Sequence, residues 1–125
     1  MDTNRYSLDD NPTVFGKILR KEIPADIVYE DERILAFRDI NPQTKVHILV
    51  IPKEHMTCLR CAETADADLL SYMMLKTQDI AREQGILDAG YRVLTNAGES
   101  AGQSVPHLHL HILGGEQLGP NLSGK

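Results

Sequence analysis

Histidine is scarce in this chain, five residues among 125, yet three of them stand at alternate positions, His107, His109 and His111. In an extended segment successive side chains point to opposite faces, so the three imidazoles share one face while Leu108, Leu110 and Ile112 share the other. One face packs; the other is left for chemistry. Three readings suit such a row. Satisfied core histidines would each need hydrogen-bond partners, and any two that took up protons would repel each other. A metal site is open to two of them, with Cys58, Cys61 or His47 as further ligands. It is not open to all three, because at about 3.3 Å per residue the outer Cβ atoms lie roughly 13 Å apart, against zinc–nitrogen bonds of about 2.0 Å. The third reading is nucleophilic attack by His109. Neutral imidazole attacks phosphorus well when its other ring nitrogen is a hydrogen-bonded donor that fixes the tautomer. Its neighbours then stabilise phosphoryl charge, help protonate a leaving group or position water. His47 interrupts the apolar run VHILVIP, where a histidine has no packing reason to be, and is a natural fourth member.

The loop ahead of the row, NAGESAGQS, contains Gly98 and Gly102, which let backbone amides approach an anion closely. Taken alone it reads more readily as a mobile hairpin loop. No Gly-Lys-Ser/Thr follows, so capture of phosphate by a P-loop lysine with magnesium is not supported. The net charge of -5 and pI of 5.4 argue against broad electrostatic binding to nucleic acid or anionic lipid. An anionic ligand must be held by local donors. No apolar run approaches the 18 or so residues needed to cross a bilayer, and the opening MDTNRYSLDD lacks a signal-peptide pattern. Cys58 and Cys61 form a C-x-x-C without a second pair, which reads as two free thiols in a reducing cytoplasm, with redox activity as the second reading. His55, behind a strand-ending proline, reads as exposed or as local structure.

The elements that must position these residues follow from pattern. Val14, Phe15, Ile18 and Leu19 have helical spacing and stop before Pro24. Ile27 to Glu30 and Arg33 to Phe37 read as a hairpin around Asp31 and Glu32. VHILVIP is apolar on both faces and reads as a central strand. From Thr64 as N-cap to Gly85 as C-cap, Leu69, Leu70, Met73, Met74, Thr77, Ile80 and Ala81 trace the buried stripe of the main helix. Tyr91 to Thr95 and Val105 to Leu113 complete the strands. Consecutive strands without crossover helices predict an α+β domain, an antiparallel sheet with helices on one face. Met1 to Pro12 and the tail from Gly114 are polar and are expected to fray or to reach a partner subunit.

With these residues in place, the chain resembles the histidine triad (HIT) family, and within it the Hint branch of nucleoside phosphoramidases. The likeness runs from Val14 to Gly115 through FGKILRKEIPADIVYEDERILAFRDINPQ, VHILVIPKEH, YRVLTNAG and GQSVPHLHLHILGG. The resemblance implies a HIT domain over 13–115 between a flexible segment, 1–12, and a tail, 116–125. It implies a meander-like five-stranded antiparallel sheet with two helices, two protomers forming one continuous sheet. It makes His109 the nucleotidylated nucleophile, with His107, His111 and His47 as partners and Ser104 near the scissile bond. Asp39 would accept from ribose hydroxyls. Phe15, Ile18, Phe37 and Ile40 would surround the purine, while Asn96, Gly102, Gln103 and Val105 lie on the phosphate side. The implied activity is hydrolysis of adenosine 5′-phosphoramidates and related acyl nucleotides in the cytoplasm, by a homodimer acting on an AMP-type purine nucleotide without cofactor or metal, nucleic acid or membrane. A dinucleoside polyphosphate hydrolase, a nucleotidyl transferase and a nucleotide-binding interaction module are the alternatives. Two departures from the Hint pattern stand out: Pro106 where an aromatic residue is common, and the tail EQLGPNLSGK, which leaves the preferred leaving amine open.

Overall fold

The computed structural model describes residues 5–120. Helix α1 (Val14–Leu19) starts where the Thr13 hydroxyl accepts from the Gly16 amide at 3.0 Å, satisfying one of the donors that a helix start leaves free. Strands β1 (Ile27–Glu30) and β2 (Ile34–Arg38) form the hairpin, whose turn is held by Asp31 Oδ1 accepting from the amides of Arg33 and Ile34. Strand β3 (Val46–Pro52) is buried from His47 onward. Helix α2 (Ala67–Glu83) ends before Gly85, whose φ of 75° suits the left-handed stop. It begins differently from expectation: a 3-10 turn over Thr64–Asp66 leads in, and Glu63 with Asp66, rather than Thr64, forms the capping box. Strands β4 (Tyr91–Leu94) and β5 (Leu110–Gly114) complete an antiparallel sheet of order β1-β2-β3-β5-β4. Relative to a plain meander the last two strands exchange places, which puts β5 beside the central β3 and β4 at the edge.

Two apolar layers flank this sheet. Ile34, Ala36, Ile48, Val50, Leu108, Leu110 and Ile112 pack with Leu69, Met73 and Ile80 of α2. On the opposite face Leu35, Phe37, Leu49 and Ile51 pack with Phe15 and Ile18 of α1. The helices therefore lie on both faces, not one. The apolar set of α1 is too short to cover a sheet face, so that face is closed only in part. Along α2 the stripe is narrower than the pattern suggests, with Met74 half exposed beside Leu75.

Two further differences concern the ends. The ladder of β5 begins at Leu110, so His107 and His109 precede it rather than lying within a strand from Val105. The alternation survives, since Leu108 still enters the α2 side. Residues 5–12, expected to fray, lie against the domain. The Arg5 guanidinium donates to the Asp66 carboxylate, and Arg20 donates to the carbonyls of Leu8 and Asn11, both at 2.8 Å. Part of the expected tail is engaged too: Glu116 accepts from the Lys45 amide at 2.7 Å and the Gly119 carbonyl accepts from Arg92 at 2.6 Å. Residues 1–4 and 121–125 lie outside the described residues. Among the described residues no helix is long and apolar enough to cross a membrane.

Candidate active site

The hydrogen bonds assign a tautomer to every histidine. His107 Nε2–H donates to the Pro52 carbonyl at 2.8 Å and Nδ1 faces Asn11 Nδ2 at 2.9 Å. His55 repeats the pattern, accepting from the Tyr6 amide on Nδ1 and donating from Nε2 to the Pro106 carbonyl. His47 accepts from the Gln43 amide on Nδ1 at 3.1 Å, so its proton is on Nε2 and is donated to His111 Nδ1 at 2.9 Å. His111 in turn carries its proton on Nε2, a buried donor without an acceptor among the described residues. His109 is the exception. Its Nδ1–H donates to the His107 carbonyl at 2.8 Å, leaving Nε2 with a lone pair. Among the described residues, His109 alone of the five imidazoles presents an unprotonated nitrogen with no partner.

Burial keeps the row neutral. It pushes His107 down to about 4, and it does the same for His111, where the neighbouring His109 and His47 add to the effect. Burial also lowers His47, against the pull of Asp39, and lowers His109, against its bond to the His107 carbonyl. The His109 ring is held by the edge of Phe15, with centroids 5.0 Å apart and planes at 88°. Thr95 fixes its backbone by donating to the His109 carbonyl at 2.7 Å.

His109 and His111 open onto a cavity of about 270 Å³ lined by Phe15, Ile18, Phe37, Asp39, Ile40, Ser104 and Val105 among others. Apolar side chains together with neutral imidazoles, a hydroxyl and a carboxylate suit a ligand that joins a flat apolar part to groups that donate and accept hydrogen bonds. Asp39 Oδ1 accepts from the Asn41 amide, while Oδ2 lies 3.5 Å from His47 Nε2. Ile40 is 97% exposed, an apolar side chain with no packing partner at the cavity mouth. The other expected site residues fall elsewhere. Asn96 lines a second cavity, of about 520 Å³, which meets the first at His111. Gly102, exposed with a φ of 84°, closes the 3-10 turn Glu99–Ala101 and lines neither cavity. Gln103 is engaged in structure: its amide accepts from Gly98 N and donates to the carbonyls of Thr57 and Val105, tying the glycine loop to the segment after β3. His107 is fully buried with both ring nitrogens occupied, so neither is free to meet a ligand.

The metal reading can be tested on donor chemistry. Among the described residues, Asp39, His47 and His111 bring ligand atoms within 4.8 Å of one another, and neither cysteine joins them. A metal would need a lone pair on His47 Nε2, but the Gln43 amide occupies Nδ1 and places the proton on Nε2. The trio is built as a proton-bearing network. Both cysteines are free thiols, Cys58 buried. Residues that the sequence did not point to include Asn11, Gln43, Thr95 and the carbonyl of Pro52. An asparagine just ahead of the first helix signals a turn, and only the fold reveals its burial.

Comparison with known proteins places this geometry. The HIT domain family matches residues 20–118. A 14 kDa zinc-binding protein of Zea mays is 51% identical over 113 residues, covering 89% of this chain and 88% of that protein. A HIT family hydrolase from Clostridium thermocellum superposes with a TM-score of 0.85 at 45% identity, over 87% of this chain and 95% of the other. A histidine triad nucleotide-binding protein from Candida albicans gives a TM-score of 0.72 at 30% identity, over 86% and 84%.

Proposed function

Because the chain belongs to the HIT domain family, we propose that it is a nucleotide hydrolase that cleaves purine nucleoside 5′-phosphoramidates through a nucleotidyl intermediate on His109. The observation that carries this reading is the lone unprotonated nitrogen, His109 Nε2, on a ring that lines the cavity. The hydrolase named from Clostridium thermocellum and the nucleotide-binding protein named from Candida albicans support it.

The purine lies between Phe15, Ile18, Phe37 and Ile40, and Asp39 accepts from the ribose. His109 Nε2 attacks the α-phosphorus. A phosphorus–nitrogen bond forms as another breaks, so the intermediate is not a deep trap. His109 becomes cationic on attack, and the His107 carbonyl on Nδ1–H stabilises that charge. His111 Nε2–H, without an acceptor among the described residues, donates to a phosphoryl oxygen, and the ligand thereby relieves a desolvation cost of about 1–3 kcal/mol. The amine takes a proton from solvent at the open mouth beside Ser104 and leaves, and water then hydrolyses the phosphorus–imidazole bond. Asn96 reaches the phosphate side from the adjoining cavity.

The protein acts as a homodimer in this reading, with the edge strand β4 extending the sheet and the exposed Met74 and Leu75 of α2 offering an apolar surface. Sedimentation of the purified chain should give twice the monomer mass; a monomer at micromolar concentration would remove this part. Rates on an adenosine phosphoramidate and on a diadenosine polyphosphate separate the phosphoramidase from its family alternatives. We expect the first to be turned over faster, and the reverse order would favour the polyphosphate hydrolase.

A further inference from the structure

We infer that Asn11 is a positioning residue for His109, acting through His107, and that the segment ahead of the first helix is a working part of the site. The inference rests on His109 being the nucleophile.

Asn11 is 1% exposed, and a buried primary amide must place both its donor and its acceptor. Its Oδ1 accepts from the Thr13 amide at 3.0 Å and from the Thr13 hydroxyl at 2.8 Å. Those two donors fix which way the amide points. Nδ2–H therefore faces His107 Nδ1 and donates to it at 2.9 Å. With Nδ1 occupied as acceptor, the His107 proton belongs on Nε2, where it reaches the Pro52 carbonyl. The ring is thus braced between the N-terminal segment and the end of β3. The carbonyl of the same residue takes the His109 Nδ1 proton and keeps the lone pair on His109 Nε2. The bonds from Thr13 to Asn11, from Asn11 to the His107 ring and from that ring to Pro52 thus hold in place the residue whose backbone carbonyl fixes the tautomer of the attacking ring.

The same asparagine is tied to the purine end. The Thr13 hydroxyl that donates to Asn11 also caps α1, which carries Phe15 and Ile18 into the cavity. Gly16 makes the arrangement possible. A Cβ there would lie 2.5 Å from the Asn11 carbonyl oxygen and 2.6 Å from its side-chain Cγ. The neighbouring His55 is held alike, by the Tyr6 amide on Nδ1. The segment thus supplies the Nδ1 donor for both buried histidines that brace the loops before β5 and after β3.

Asn11→Asp tests this with a side chain of nearly the same shape that can only accept. Facing a carboxylate, His107 must carry a proton on Nδ1. It then either loses its bond to Pro52 or becomes a cation beside a ring that turns cationic on attack. Two quantities are read: turnover of an adenosine phosphoramidate, and imidazole nitrogen chemical shifts of the free enzyme. We expect kcat to fall by about tenfold or more, as misplaced tautomers do in nucleophile–imidazole systems, with the Kd for AMP within about twofold. The wild-type shifts should show Nε2–H at His107 and Nδ1–H at His109, and the variant a protonated Nδ1 at His107. Wild-type kcat in the variant would overturn the inference, and so would a protonated Nδ1 at His107 in the wild type. If Asn11→Asp does not fold, the wild-type shifts decide alone. Should the wild type fail to turn over phosphoramidates, the proposed activity falls, while the nitrogen shifts still decide whether Asn11 sets the tautomer.

Discussion

At His109 the chemistry depends on one proton, the one on Nδ1, and on burial that keeps the ring neutral. Because its pKa is lowered from 6.5, the acid limb of kcat/KM should lie below pH 6.5 and activity should be level above it. A limb above pH 7 would contradict that. His109→Ala removes this free lone pair and should cost about a thousandfold or more in turnover while AMP still binds, measured by steady-state rates beside calorimetry. His111→Ala removes one donor to the phosphoryl group and should cost on the order of 10²–10³ in kcat. Ile40 offers the cleanest separation of binding from folding. At 97% exposure it has almost no packing to lose, so Ile40→Ser should weaken AMP binding by about three- to tenfold while leaving Tm unchanged. A drop in Tm of the usual core size would show that Ile40 serves the fold instead.

Among the elements, the sheet and the main helix follow from pattern because their cues are local. VHILVIP is apolar on both sides and became the buried β3, and Gly85 stops α2 at a positive φ. What pattern does not convey is which face each helix takes. The buried residues of α1, Phe15, Gly16 and Ile18, are compatible with either face, and the contacts that decide are with Leu35, Phe37, Leu49 and Ile51, remote in sequence. The strand order is likewise non-local. Tight packing at the start of α1 gives a test at this level. Gly16→Ala drives a methyl into Asn11 and should destabilise the domain by about 1–3 kcal/mol in denaturant unfolding, with activity falling in parallel with Asn11→Asp. A neutral result would mean that the segment holding Asn11 yields easily.

For the whole molecule, the row of imidazoles was visible in the sequence because alternation places His109 and His111 together on one face, whatever the ladder's first residue. Asn11 was not, since its partner lies 96 residues away and its burial needs Gly16 and the fold at once. Ser104 and Asp39 do reach the cavity, whereas Gln103 became a structural clamp because its amide finds backbone carbonyls nearer than any ligand. The buried neutral histidines also bear on global stability. His107 ionises at about 4 when folded and near 6.5 when unfolded, so between these values the unfolded chain binds more protons. Stability should therefore be full above pH 6.5 and decline as pH falls toward 4, by about 3 kcal/mol at most from this group. Urea unfolding at pH 7 and pH 5 reads it; equal stability at both would mean that His107 is not held neutral.

The central claim concerns one bond, between His109 Nε2 and phosphorus. Rapid quenching of the enzyme with an adenosine phosphoramidate in alkaline denaturant, which preserves the acid-labile phosphorus–imidazole bond, followed by mass spectrometry of the intact and digested protein at the same pH, measures it directly. The account predicts one nucleotidyl group on the peptide containing His109 in the wild type and none in His109→Ala. Turnover without any adduct, or an adduct on His111 or His47, would contradict it.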